Sequence, residues 1–402
     1  MGCHRRVKRN CMTNDTNHDT GNGIRNDCAN RAQHDIPATY ASSDAIPPDM
    51  HNTRGVQGMV GRLTESHRFV IVLRTIMAIT LIAMVLRMIP GGFGGRKYVP
   101  IVVALMPWFI IPTAAVAIIA FAIRQRALAV ICVVCIMVQV CWHWGFIVPT
   151  DRLSVRARLA VTQSELDTTD RYARIMTLNA KEGAADADHI VRMVRDEHVE
   201  VLALQEVSHG LVQRLRDAGL EATLPYSNVA KWSAHDNGGV NALWSAAPMS
   251  DTTGDLIPIE SSSIPASSID FGGVAVRFGS VHSFSPRPSN QGLWSKGLSA
   301  IGQLQGSKGK YVLMGDFNAI WDHASFRYLL GARFLDSGER AGSGFHMTYP
   351  SNVKLLGVIP MPACSEIDHI VHDRGVIVGD LEARAVAGSD HKALLGTMEI
   401  TG

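Results

Sequence analysis

Tyr311-Val312-Leu313-Met314-Gly315-Asp316-Phe317-Asn318 is an apolar run that stops in a carboxylate and an amide. The apolar part predicts a buried strand, and its polar end predicts a sheet edge where reactive groups collect. Further along come Ser365-Glu366-Ile367-Asp368-His369-Ile370 and Gly388-Ser389-Asp390-His391, which repeat the pattern with acids and imidazoles. Strands that end in clustered carboxylates, Asn and His build a site for a hard divalent cation and an in-line attack on phosphorus.

Working upstream, Arg174–Asn179 and the run Val201-Leu202-Ala203-Leu204-Gln205 predict buried strands. Between them, Ala185–His198 places Ala187, Ile190, Val191 and Val194 on one helical face. Helices are expected at Ser208–Ala218, Asn290–Leu304 and His323–Leu330, and strands at Gly239–Ser245 and Val274–Ser283. The end is strand-rich, over Ile367–His372, Val376–Val378 and Ala393–Ile400. Interleaved strands and helices predict a layered α/β domain over residues 173–402, with one catalytic edge.

The N-terminal side reads differently. Residues 1–66 are rich in Arg, Asn, Asp and His, too polar to offset ordering entropy, and predict a disordered tail. Met1-Gly2-Cys3 lacks the Ser or Thr at position 6 that myristoylation favours, since Arg6 stands there. Met59 is an alternative start. Phe69–Ile89, Tyr98–Ile123 and Ala127–Val148 are apolar and each long enough for a transmembrane helix. Residues 67–148 are therefore expected to form a three-helix transmembrane anchor, and 149–172 a polar linker. Arg54, Arg62 and Arg68 before the first span, with Arg124 and Arg126 in the second loop, place those segments in the cytoplasm. Three spans then put the C-terminal domain outside the cell membrane. Cys132 and Cys135 form C-x-x-C inside an apolar run with no second ligand pair, which reads as packing.

The formal charge of +2 is unevenly spread: residues 170–402 hold 20 Lys and Arg against 26 Asp and Glu. That bias is opposite to the one expected of a long-nucleic-acid binder.

Taken in order, Thr177-Leu178-Asn179, Ala203-Leu204-Gln205-Glu206-Val207, Gly279-Ser280-Val281-His282-Ser283, Gly315-Asp316-Phe317-Asn318, Ile367-Asp368-His369 and Ser389-Asp390-His391 resemble the endonuclease/exonuclease/phosphatase superfamily. The resemblance covers residues 173–402 and implies the DNase I-like fold, a four-layer α/β sandwich. It implies Glu206 as principal metal ligand, with Asn179 and Asp390 supporting Mg²⁺ or Mn²⁺. It implies His391 as general acid/base oriented by Asp368, and Asp316 with Asn318 as the pair that positions or deprotonates water and holds phosphoryl oxygens. His282 matches a central His that contacts phosphate. Strand alternation is expected to put Asp316 and Asn318 on one side. His369 and His372 read as structural. Thr348-Tyr349-Pro350 stands where bacterial membrane-anchored members carry T-W-P. Residues 261–273 are Ser-rich and lack the Arg that some members place on substrate phosphate.

An apolar anchor followed by this domain resembles the membrane-bound VanJ-type branch, associated with teicoplanin-class antibiotic resistance. That implies a phosphoesterase held on the lipid bilayer, acting on a lipid-linked substrate, polyprenyl-linked among the candidates. The alternative is an anchored extracellular DNase I-like endonuclease, for which Lys231-Trp232 and Arg287 are the only basic and aromatic support. A degenerate scaffold would require a lost catalytic position, and all the matched ones are filled.

Overall fold

The computed structural model describes residues 67–90, 97–163, 166–233 and 236–402. The tail expected to be disordered, and Met59 within it, lie outside the described residues.

Among the described residues fourteen strands follow in chain order: β1 Tyr172–Asn179, β2 Val199–Val207, β3 Tyr226–Val229, β4 Val240–Ser245, β5 Met249–Thr253, β6 Ala266–Phe271, β7 Val274–His282, β8 Lys310–Asp316, β9 Phe334–Asp336, β10 Lys354–Leu355, β11 Ile359–Pro360, β12 Asp368–Asp373, β13 Val376–Ala385 and β14 Lys392–Ile400. They form two six-stranded sheets, ordered β13-β14-β1-β2-β4-β3 and β5-β6-β7-β8-β12-β9, and a separate β10-β11 hairpin. Both large sheets are mixed, because β1–β2 and β7–β8 run parallel among antiparallel neighbours.

Strand alternation sets the layers. Ile175, Val201, Ala203 and Leu243 of the first sheet pack against Phe278, Val312, Met314 and Ile370 of the second. The alternate residues Met176, Leu178, Leu202 and Leu204 face outward onto Ile190, Val194, Leu211 and Leu215. Those four lie on the helices Ala187–Asp196 and His209–Asp217, which Asp186 and Ser208 cap by accepting from His189 N and Leu211 N. On the far side, Val281, Leu313 and Val371 pack on Trp294, Leu298, Phe326 and Leu329. The order is helix, sheet, sheet, helix, the α/β sandwich expected.

Register brings the polar strand ends together. His282 and Asp368 both lie opposite Asp316, on neighbouring strands. Gly315, at φ +149, is where β8 closes on β7: a Cβ there would lie 2.0 Å from Val281 O.

The apolar N-terminal segment departs from three equal spans. Among the described residues one helix, His67–Met88, is long and apolar enough to cross a membrane. The second stretch is a short helix Val99–Val103, a 3-10 turn Met106–Phe109 and a helix Ile110–Ala122. Pro107 lacks the N–H that a continuous helix needs, whereas Pro112 falls in a first turn where none is required. The third stretch stops at Trp142 and resumes as Trp144–Ile147. His143 interrupts it, turning its ring to Asp322, 2.9 Å away.

That contact belongs to a polar seam between these helices and the loop after β8. Arg87 and His143 both pair with the buried carboxylate of Asp322. Burial opposes charge on Asp322, yet these two partners hold its carboxyl below the usual range. Arg327 donates to Arg87 O, at 2.9 Å, and Trp321 Nε1 to Trp142 O, at 3.2 Å. His323 Nδ1 accepts from Ile320 N while Nε2 reaches Pro100 O, at 2.9 Å each. Burial pushes that imidazole down to about 4, which keeps it neutral and suits one nitrogen that accepts and one that donates. The segment read as a linker also packs on the sandwich: Ser154 N donates to Glu399 Oε2, and Ala157 of the short helix Val155–Ala160 is buried.

Candidate active site

Six strand ends build the site: the C-terminal ends of β1, β2, β7 and β8, and the starts of β12 and β14. Beneath them Gln205 spans the two sheets, donating to Thr177 Oγ1 at 3.1 Å and to Ser280 Oγ at 3.0 Å.

Glu206 sits at a bulge in β2 with φ +52, a left-handed backbone that a Glu adopts at a cost. The bulge re-aims the carboxylate into the cleft. Its Oε1 accepts from Asn179 Nδ2 at 3.0 Å and its Oε2 from Glu182 N at 2.8 Å. Gly238 closes the other side, where a Cβ would come within 2.6 Å of Glu206 Cδ.

Asn179 also donates to Asp316 Oδ2, at 3.1 Å, so one amide joins the Glu206 and Asp316 carboxylates. Asn318 braces Asp316 from the opposite side: its N donates to Oδ1 at 2.8 Å and its Nδ2 to Oδ2 at 3.2 Å. The expected pairing of Asp316 with Asn318 is therefore present, but not through strand alternation. β8 ends at Asp316, and Asn318 turns back through a left-handed φ of +47. Asn tolerates that region better than most side chains.

His391 Nδ1 lies 2.8 Å from Asp368 Oδ2, and its Nε2 is 3.7 Å from Asp316 Oδ2. Burial opposes the imidazolium, but Asp368 and then Asp316 push the His391 pKa up to about 10. Burial drives the Asp316 carboxyl up to about 6, against the pull of His391 and with the added push of Asp368. Ser389 fixes the loop between these groups, accepting from His391 N and donating to Asn179 O. His282 is buried, with Nε2 3.5 Å from Glu206 Oε1 and 3.8 Å from Asp316 Oδ2. Its carbonyl accepts from Ser261 and Ser262, which gives the Ser-rich stretch a bracing role.

Asp390 lies apart from this cluster. Its carboxylate faces Lys181 Nζ at 3.9 Å across the mouth of the site. His369 turns away, to Asp336 Oδ1 and Ala319 O, and His372 to the carbonyl of Asp373.

The donor set fits a hard divalent cation. Asp316 and Asp368 offer carboxylate oxygens within 4.8 Å of each other, with the His391 ring beside them as a proton donor and not as a ligand. Glu206 adds a further carboxylate beside Asp316, joined to it through the Asn179 amide, and Asp368 Oδ1 is buried without a hydrogen-bond partner among the described residues. An oxygen-rich cluster of this kind suits Mg²⁺-like ions better than thiolate-seeking ones.

Three neighbours of the site carry no strong sequence signal, and a fourth, Tyr349, is marked only as the centre of Thr348-Tyr349-Pro350. Asn237 Nδ2 lies 3.4 Å from His282 Nε2, and only the turn-forming Asn-Gly-Gly run marks it. Lys181 follows Asn179 in a turn, and Tyr349 sets its ring 5.0 Å from that of His391. Gly238 has no side chain to read.

A model of the endonuclease/exonuclease/phosphatase family matches residues 176–391. No curated protein matches the chain. Among solved structures, an endonuclease/exonuclease/phosphatase from Beutenbergia cavernae DSM 12333 is 18% identical, with a TM-score of 0.45 over 58% of this chain and 72% of that one. A family protein from Leptotrichia buccalis C-1013-b is 16% identical, with a TM-score of 0.44 over 56% of this chain and 99% of that one. D. rerio TDP2 complexed with single-strand DNA product is 16% identical, with a TM-score of 0.46 over 57% and 100%.

Proposed function

This chain belongs to the endonuclease/exonuclease/phosphatase family and is a metal-dependent hydrolase of phosphate esters; from that premise we propose that it is a membrane-anchored phosphoesterase of the VanJ type, acting outside the cell on a lipid-linked or cell-envelope phosphate. The observation that carries this reading is the Arg87–Asp322–His143 seam. It fixes the loop bearing Asp316 and Asn318 to a helix that is long and apolar enough to span a bilayer. The outward faces of this anchor are apolar, including Ile82, Val85, Ile118 and Phe121. Arg126–Trp142, at 17 residues, sits at the lower limit of a spanning helix, and the anchor is completed by the broken second stretch. An anchor confines the enzyme to the surface where a lipid substrate is concentrated.

Glu206, with Asn179 and Asp316 beside it, would hold Mg²⁺ or Mn²⁺, and Asp390 would support it from the mouth of the site. When bound, such an ion neutralises charge on the phosphoryl group and polarises it. The chain's own groups do the rest. Asp316, as a carboxylate braced by Asn179 and Asn318, accepts a proton from the attacking water. His391, held by Asp368, presents a protonated Nε2 to the phosphoryl or leaving oxygen. Asn179, Asn318 and His282 orient phosphoryl oxygens.

The test uses the full chain in detergent with Mg²⁺ or Mn²⁺, against a polyprenyl pyrophosphate, a phospholipid and plasmid DNA. Chelator-sensitive release of phosphate or headgroup, with DNA intact, is expected. Nicked DNA with inert lipids would replace this reading by an anchored endonuclease.

A further inference from the structure

Between Ser351 and Cys364 the chain leaves the sandwich as the β10–β11 hairpin, with Lys354 opposite Pro360 and Leu355 opposite Ile359. Its apolar residues point outward: Leu356 is 86% exposed, Val358 71%, Ile359 55% and Leu355 51%. Lys354 is the one charged residue from 351 to 364. Apolar groups on a soluble surface are usually scattered, and a continuous set this exposed marks a contact.

The base of the hairpin says what that contact is. On one side Trp108 Nε1, in the anchor, donates to Cys364 O at 2.9 Å. Around Trp108 the apolar helices expose Ile101, Leu105 and Ile111, and the Trp108–Cys364 bond sets the root of the hairpin beside that apolar surface. On the other side Asn352 Nδ2 donates to Val386 O at 2.8 Å and to Ser389 O at 2.9 Å, in the loop leading to His391. Ser351 N donates to Asp390 O, and Tyr349 packs by His391. The hairpin is thus tied to the anchor and to the reactive edge alike.

We propose that the Lys354–Pro360 hairpin is a second membrane-contacting element, whose apolar tip enters the lipid layer beside the anchor and holds the hydrocarbon end of a lipid-linked phosphate ester next to the His391 edge. Lys354 is placed to meet phosphate headgroups at the level where basic side chains favour anionic lipid. The substrate half of this proposal rests on the phosphoesterase reading; the membrane contact does not.

Two measurements on the full chain separate them. With Leu356→Cys carrying an environment-sensitive dye, in a background lacking the cysteines other than the buried Cys132 and Cys135, the protein is placed in vesicles of phosphatidylethanolamine and phosphatidylglycerol. A blue-shifted dye, quenched by spin-labelled acyl chains, is expected. A dye that stays in water, or is covered only when other proteins are added, overturns the membrane contact whatever the activity. In parallel, Leu356→Asp with Val358→Asp is assayed on a polyprenyl pyrophosphate and on a short water-soluble phosphate ester. Loss of about tenfold or more on the lipid alone, mostly in KM, is expected. Equal loss on both overturns the substrate role, whereas a wild-type chain inert on both would sink the phosphoesterase reading and leave the dye result standing.

Discussion

Asp322→Asn isolates the seam between the N-terminal apolar helices and the catalytic edge. Asp322 is fully buried and Arg87 nearly so, and they pair directly. Neutralising the carboxylate leaves the guanidinium with a weak partner in a site sheltered from water. Breaking a buried pair on one side costs about 3–5 kcal/mol. At about 1.4 kcal/mol per tenfold, that moves the equilibrium between native and disrupted states by roughly two to three and a half orders of magnitude. The assay is equilibrium unfolding of the full chain in detergent, with a cycle through Arg87→Met, Asp322→Leu and the pair. The double variant, apolar on both sides, should recover most of the loss, because burying two charges itself carries a desolvation penalty. The loop from Asp316 to His323 joins seam and site, so kcat on a soluble ester should fall in Asp322→Asn with KM little changed. A cost under about 1 kcal/mol with wild-type kcat would refute the claim that the seam supports the site.

Asp368→Asn should lower kcat by about 10²–10⁴-fold while leaving the circular dichroism unchanged, since His391 loses the carboxylate that orients and charges it; near-wild-type turnover would remove the pair from the chemistry. Gly315→Ala should destabilise the sandwich by more than about 3 kcal/mol, measured by denaturant unfolding, because its Cβ meets a backbone oxygen that has no room to move. Glu200 offers a pH test remote from the site: burial, then the nearby Asp170 carboxylate, raises it to about 8 from an ordinary 4.5. Between those values the unfolded chain ionises and the folded one does not, so stability falls as pH rises from about 4.5 to 8. Glu200→Gln should therefore gain roughly 1–3 kcal/mol at neutral pH and nothing at pH 4; an equal gain at both would contradict the assignment.

Much of the sandwich was legible because β1, β2, β7, β8 and β12 are apolar runs with polar ends, and parallel, doubly covered strands read that way. Short or polar strands such as β3, β5 and β9 escaped, since their pairing is decided by neighbours. Most of the proposed catalytic residues converge as the motif order implied. The exception in placement is Asp390, whose side chain answers to Lys181, a residue brought across by a turn that no local pattern announces. Glu206 was legible as an acid after a strand, but its bulge was not, because a bulge is a mismatch between two strands. The breaks in the second and third apolar stretches were not legible, because hydropathy is blind to the missing N–H of Pro107 and to the pairing of His143 with Asp322. The hairpin was overlooked because Leu355-Leu356 and Val358-Ile359 are each too short to signal a strand alone.

The seam has a pharmacological consequence. Ala104 and Pro107 of the apolar helices face Trp321, Phe345 and Cys364 across a small cleft that the loop following Asp316 helps to line. The cleft has room for no more than about one water molecule, so an inhibitor entering it would have to wedge Trp321 and Asp322 away from the helices and would not compete for phosphate. Inhibition by that route would be noncompetitive and indifferent to substrate concentration.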